Sequence, residues 1–446
     1  MNLVADLFAR ADRRALALVC GEEEVTYGAL IERAESDSAR FASLRATRVA
    51  LDCPNGVAHV VLALAIVRAG KCLVPLASEL ALPERERILR ETRVGAVVDA
   101  AGSVREVPVT TDPGFDEEEL AALNPAFIRF SSGTTGTSKG VVISHETLLA
   151  RLVAANRGLG ITAADRIVWT LPMAHHFAVS IMLYLYAGAT TIIVNSHLAA
   201  DLLSAGRRHG GTMLYGAPFH HALLAAEPSG LPWPALRLAV SVAAGLPLKT
   251  ARFFEERFGV PLTQGLGIIE VGLPLLNLHA AREKPGSVGR PLPDFRAEVR
   301  ARGEVFVWGP GMFDAYLCPW RRREEVLDDG WFRTGDLAEV DADGDFTLLG
   351  RSHSVINVGG LKCFPEEIEA VLNEFPGVAA ARVYGKANAR FGAVPVAEIE
   401  AADPTQPPAP ARLAAHCRQR LAAYKVPVQF SVVARIARTA SGKIRR

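Results

Sequence analysis

Short apolar runs alternate with stretches of helical spacing through the first half of the chain. Arg48-Val49-Ala50-Leu51, Val60 to Val67 and Leu73-Val74-Pro75-Leu76 are typical, and this alternation is the rhythm of an α/β domain. Ala126 to Phe130 and Val141-Val142-Ile143 read as two strands on either side of a small-residue segment, and the next helix carries Leu148, Leu149, Leu152 and Val153 on one face. Phe177 to Val194 has no charged residue, but Gly188 and the β-branched run 190–194 divide it into a buried helix, a turn and a buried strand rather than a membrane span. Asp341-Ala342-Asp343-Gly344 marks a tight turn between two strand-like runs. A domain is expected to end soon afterwards. Pro365 then opens a helix with Ile368, Val371, Leu372 and Phe375 at 3.6-residue spacing, closed by Gly377. Strands over 379–384 and 394–399 and a helix over 411–422 complete a small second α/β domain, so the pattern divides the chain into 1–352 and 353–446.

Composition narrows the class. The chain has 446 residues, half of them hydrophobic, which is enough for a sizeable core and at least two domains. Its 49 basic and 48 acidic residues leave a net charge of +1, so no electrostatic footprint for nucleic acid or an anionic membrane is expected. The six cysteines form no CxxC pair, which argues against a zinc site or a disulfide framework and for a reducing cytoplasm. Residues 1–14 are charged throughout and do not resemble a signal peptide.

The segment Ser131-Ser132-Gly133-Thr134-Thr135-Gly136-Thr137-Ser138-Lys139-Gly140 carries the clearest chemistry. Glycines let backbone N–H groups approach an anion, the hydroxyls add donors, and Lys139 supplies a mobile charge. That is a phosphate grip suited to a nucleoside triphosphate. It is not the Walker loop, whose lysine follows glycine and precedes Ser or Thr, because Lys139 stands between Ser138 and Gly140.

The same segment resembles the phosphate loop of the adenylate-forming superfamily, the AMP-binding enzymes that include acyl-CoA synthetases, aryl-acid ligases, luciferases and peptide-synthetase adenylation domains; Ser138 replaces their usual proline. The resemblance continues in order from Val25-Thr26-Tyr27 through Trp331-Phe332-Arg333-Thr334-Gly335-Asp336 to Ser441-Gly442-Lys443-Ile444. It implies an α/β fold: a large N-terminal domain of paired α/β sheets with a β-barrel lobe, then a small mobile C-terminal α/β domain.

Site residues follow from the resemblance motif by motif. Lys139 and the loop are implied to take the departing β and γ phosphates. Glu270, in Gly265-Leu266-Gly267-Ile268-Ile269-Glu270, is the implied Mg²⁺ ligand; Leu266 stands where the family has the tyrosine that stacks on adenine, and Ile269 where it has the threonine that meets the α-phosphate. Lys443 is implied to bridge the carboxylate and α-phosphate oxygens during adenylation. Asp336 is implied to accept from the ribose hydroxyls, with Arg351 as a further ribose or phosphate contact. Gly245, Leu246 and Pro247 resemble the loop that packs on adenine. His175 corresponds to a residue beside the acyl carboxylate and is assigned to substrate positioning. Arg351-Ser352-His353-Ser354 stands at the implied hinge, and Gly359-Gly360 at the implied thiol tunnel.

The implied activity is ATP-dependent conversion of a small carboxylic acid to acyl-AMP and pyrophosphate, then transfer to the thiol of CoA or of a phosphopantetheinyl acyl carrier protein. The alternative is a catalytically degenerate acyl- or nucleotide-binding homologue. Amino-acid-activating relatives carry Phe-Asp-x-Ser, whose aspartate pairs the ammonium, whereas this chain reads Phe177-Ala178-Val179-Ser180. An aliphatic or aryl acid without an α-amino group is therefore expected, against an apolar wall formed by 271–276.

Overall fold

The computed structural model describes residues 1–78, 80–109, 116–131, 139–196, 198–242, 244–358, 361–388, 391–438 and 444, with backbone only at Ser131, His353 and Lys362. Two large sheets dominate. One has nine strands in the spatial order Arg290–Pro291, Gly272–Leu276, Leu262–Ile268, Leu238–Ser241, Met213–Gly216, Arg166–Trp169, Thr190–Ile193, Leu16–Cys20 and Glu23–Thr26. The other has eight, in the order Arg321–Arg322, Ala315–Tyr316, Lys139–Ser144, Pro125–Ser131, Cys72–Leu76, Arg48–Asp52, Ala96–Asp99 and Val104–Glu106. The apolar run 60–67 belongs to a helix, Val57–Arg68, that is almost wholly apolar and is buried at Val57 and from His59 to Val67. A helix with no polar face must be covered all round, and its side chains share one core with residues of both sheets.

The Val25-Thr26-Tyr27 motif has a structural role. Thr26 caps the helix Tyr27–Ala42 by accepting from the Ala29 N–H at 3.2 Å. The Tyr27 hydroxyl, fully buried, donates to the carbonyls of Leu185 and Ala189. This ties the helix to the end of Met182–Tyr186, which follows a π-helical turn at Phe177–Ile181. The uncharged segment 177–194 is thus a buried helix, a left-handed turn at Gly188 and the buried strand Thr190–Ile193, as its pattern predicts.

A four-stranded antiparallel sheet, Arg296–Val299, Glu304–Trp308, Phe332–Val340 and Phe346–Arg351, stands where the barrel lobe is expected. The small C-terminal unit packs the helices Pro365–Asn373 and Pro410–Arg418 on five strands around a separate core that includes Ile368, Leu372, Ala381, Ile399 and Leu413. Its two long strands, Val378–Asn388 and Gly392–Ala401, outrun the predicted apolar stretches because residues beyond them also pair in register, as Lys386 does with Val394 and Asn388 with Gly392. The helix after Pro365 is capped by Glu374, and Gly377, at φ +93°, turns the chain into the following strand instead of closing the helix. Gly350 lies so close to that helix that a Cβ there would come within 2.5 Å of Glu366 Oε2.

Candidate active site

The phosphate-loop segment joins two antiparallel strands in which Ser131 faces Lys139 and Arg129 faces Val141. The short strand Ala315–Tyr316 pairs on the far side, with Tyr316 opposite Val141. Directly opposed residues share a face, and so do residues two apart on one strand. Arg129, Val141 and Tyr316 therefore form a row across three strands, with Lys139 on the same face. Lys139 Nζ sits 4.6 Å from the centre of the Tyr316 ring, and the Tyr316 hydroxyl donates to Glu270 Oε1 at 2.8 Å.

Glu270 comes from the other large sheet, at the turn between the strands Leu262–Ile268 and Gly272–Leu276. Two groups fix that turn. The Phe313 N–H donates to the Glu270 carbonyl at 2.7 Å. Arg151, fully buried, donates to the carbonyls of Ile269 at 2.8 Å, Glu270 at 3.3 Å and Gly311 at 2.8 and 3.0 Å. The space is tight enough that a Cβ on Gly311, at φ +76°, would lie 2.6 Å from the Arg151 backbone nitrogen. Burial lowers the Arg151 guanidinium to about 10, opposed by Asp314 and Glu270, so it stays charged at neutral pH. Arg129 is likewise lowered to about 10 by burial, with Glu270 opposing, and no described group accepts from its buried Nε. The Tyr316 hydroxyl is pushed upward by burial and by Glu270, and remains a donor.

Glu270 fits the implied Mg²⁺. Tyr316 takes one carboxylate oxygen and the other carries no hydrogen bond among the described residues; a single hard carboxylate beside substrate phosphates is how Mg²⁺ is commonly held. The only cluster of three metal-ligating side chains among the described residues lies elsewhere, at Asp341, Asp343 and Asp345. There the Lys284 ammonium bonds all three, at 2.6, 2.6 and 2.8 Å.

On the same strand as the Glu270 turn, Leu266 is buried and Gly267 is exposed at a break in register, while Ile269 packs against the core. Gly245 and Pro247 are exposed on either side of Leu246, whose N–H donates to Gln264 Oε1 at 2.9 Å. Asp336 is buried in the Phe332–Val340 strand and faces Arg351 in register, with Arg351 Nε 2.6 Å from Asp336 Oδ1. His175 is half-buried in the short helix Met173–His176. Ala178, where an amino-acid-activating enzyme needs its carboxylate, is buried in the π-helical turn.

Ser132, Gly133, Thr134, Thr135 and Gly136, together with Gly359, Gly360 and Lys443, lie outside the described residues, as does the side chain of Ser131. The contacts bring together Lys139 and Glu270 through Tyr316; Asp336 with Arg351, and His175, stand on other elements. Sequence reasoning missed Arg129, Arg151 and Tyr316. Arg151 was the most accessible, because it falls at helical spacing between Leu148 and Leu152, and the helix turns it inward while Val153, expected on the apolar face, is exposed.

Residues 6–317 match the AMP-binding enzyme family and residues 367–443 match the AMP-binding enzyme C-terminal domain. The chain is 32% identical to a sulfoacetate–CoA ligase of Cupriavidus necator over 82% of its own length and 76% of that protein. It is 30% identical to a feruloyl-CoA synthase of Amycolatopsis over 98% and 95% of the two lengths. In structure it is similar to ATP-bound MatB from Rhodopseudomonas palustris, with a TM-score of 0.87 at 26% identity, covering all of this chain and 97% of that one. With a phosphate-loop lysine and an acidic turn joined through one tyrosine, and both parts of the chain matched in order, the protein belongs to the AMP-binding enzyme family as an AMP-forming acid–thiol ligase of the adenylate-forming superfamily.

Proposed function

We propose that the protein activates a small carboxylic acid with ATP, releasing pyrophosphate, and passes the acyl group from acyl-AMP to the thiol of CoA. The observation that carries this reading is the Lys139–Tyr316–Glu270 arrangement, which sets a cation and a carboxylate beside the phosphate-loop hairpin. Attack of a carboxylate on the α-phosphorus brings anions together, so catalysis depends on fixed positive charge where the negative charge grows. Lys139 would stabilise the departing pyrophosphate, and Lys443 would lie between the carboxylate and the α-phosphate. Glu270 would hold the Mg²⁺, which neutralises phosphate charge when bound. Asp336 and Arg351 would take the ribose, Gly245 to Pro247 the adenine, and His175 the acyl carboxylate.

The relatives act on sulfoacetate and ferulate as CoA ligases, which supports CoA over a carrier protein as the acceptor here. Buried Ala178 offers an α-ammonium no counter-charge, so the acid is aliphatic or aryl. The hinge would fall within 351–354, between domains 1–352 and 353–446, and Gly359-Gly360 would serve the thiol path. A cytoplasmic setting with ample ATP and CoA suits this chemistry. ATP–pyrophosphate exchange across aliphatic, aryl and α-amino acids tests the first step, and thioester formation with CoA or phosphopantetheinyl carrier protein tests the second. Exchange with no acid, or robust exchange with an α-amino acid, would overturn the reading.

A further inference from the structure

Tyr316 touches both Lys139 and Glu270, two groups delivered by different sheets. Its backbone position is fixed by pairing with Val141 on one side and by its neighbour Ala315 facing Val142 and Arg322. The residue is 3% exposed, and the Phe313 ring packs with its centre 4.7 Å from that of Tyr316. The ring therefore has little freedom to leave either partner. We propose that Tyr316 is a positioning residue that couples the phosphate-loop lysine to the metal-binding carboxylate, its ring face seating Lys139 Nζ and its hydroxyl fixing Glu270 Oε1 so that the other carboxylate oxygen is left to the cation. This inference rests on the reading of Glu270 and Lys139 given above.

The two contacts differ in chemistry and can be separated. The hydroxyl acts through Glu270 alone, in the manner of outer-shell groups that orient a metal ligand. The ring acts on Lys139 as a cation–π platform, which survives loss of the hydroxyl. Arg129, in the same row and electrostatically linked to Glu270, makes the hydroxyl more important still, because a carboxylate with no anchor could swing towards the guanidinium and away from the nucleotide.

Calorimetric titration with α,β-methylene-ATP, which cannot be cleaved at the α–β bridge, reads this without turnover. The quantity is the ratio of affinities with and without Mg²⁺. Tyr316→Phe should lower that ratio about tenfold while leaving metal-free binding near the unaltered value. Tyr316→Leu should also weaken metal-free binding, by about threefold. In a Glu270→Gln background, Tyr316→Phe should have no further effect. If Tyr316→Phe keeps the ratio while Glu270→Gln lowers it, the coupling role is wrong and the metal assignment stands. If Glu270→Gln also leaves it unchanged, the metal assignment fails and the coupling role fails with it. Should Tyr316→Leu fail to fold, the Phe variant and the double variant decide the matter alone.

Discussion

Asp336 and Arg351 stand opposite each other on neighbouring antiparallel strands, and their side chains meet at 2.6 Å, the carboxylate buried and the guanidinium partly exposed. Arg351 also donates to the Thr334 carbonyl at 3.1 Å, and the Thr334 hydroxyl accepts from the Asp336 N–H at 3.0 Å. The carboxylate is thus aimed before any ligand arrives. Asp336→Asn should raise the KM for ATP about tenfold or more, the scale of losing charge-assisted hydrogen bonds, with a smaller change in kcat. Steady-state kinetics at saturating acid measures this, and an unaltered KM would remove Asp336 from the ribose site.

Ile269 occupies the place of a hydroxyl that meets the α-phosphate in relatives, and its side chain packs against the core instead. Ile269→Thr should leave the exchange rate equal or higher. A fall of more than about tenfold, or roughly 1.4 kcal/mol in barrier, would mean that this turn handles the α-phosphate by another route.

Lys443 and Gly360 should divide the two half-reactions. Lys443→Ala is expected to slow acyl-AMP formation by about 10² to 10³ while sparing thioester formation from synthetic acyl-AMP. Gly360→Leu should do the reverse. Pyrophosphate exchange and single-turnover thioesterification, run on both variants, are the measurements; equal losses in both steps would contradict the assignments.

Arg151 donates to three carbonyls around the Glu270 turn. Arg151→Met keeps much of the volume and removes every donor. Stability should fall by about 3 kcal/mol, seen as a lower urea midpoint, and the Mg²⁺ requirement should rise because the turn is no longer held. A midpoint within experimental error of the parent would show that the carbonyls find other partners.

Acid should destabilise the fold through its buried histidines. Burial lowers His59 to about 4, and it lowers His221 to about 3. Unfolded imidazoles take up protons near 6.5, whereas these two resist protonation while the protein is folded. Their contribution is therefore complete above 6.5 and is lost as pH falls from 6.5 towards 4 and 3, at up to about 1.4 kcal/mol per pH unit for each. Urea midpoints at pH 7.5 and 5.0 should show the drop, and His59→Leu should make it shallower. The same slope in that variant would exclude His59 as a source.

The architecture was largely legible in the sequence. The uncharged run 177–194 declared its own division through Gly188, and the Asp-Gly turn fixed the Phe332–Val340 hairpin that carries Asp336. What remained hidden were polar groups inside apolar patterns. Arg151 breaks no helical period, because a guanidinium can lie on a buried face once three carbonyls converge on it. Tyr316 could be read only as a core aromatic until a second sheet brought Glu270 within 2.8 Å. Contacts between residues 46 positions apart or more are set by tertiary packing, and no local spacing records them.

The lysine held by Asp341, Asp343 and Asp345 has a practical consequence. Three converging carboxylates form a cage of the sort that elsewhere selects an exchangeable ion, but here the positive charge is part of the chain. A chelator can strip an ion but not a side chain. The tip of the hairpin that carries Asp336 and Arg351 is therefore clasped whatever the surrounding divalent-ion level.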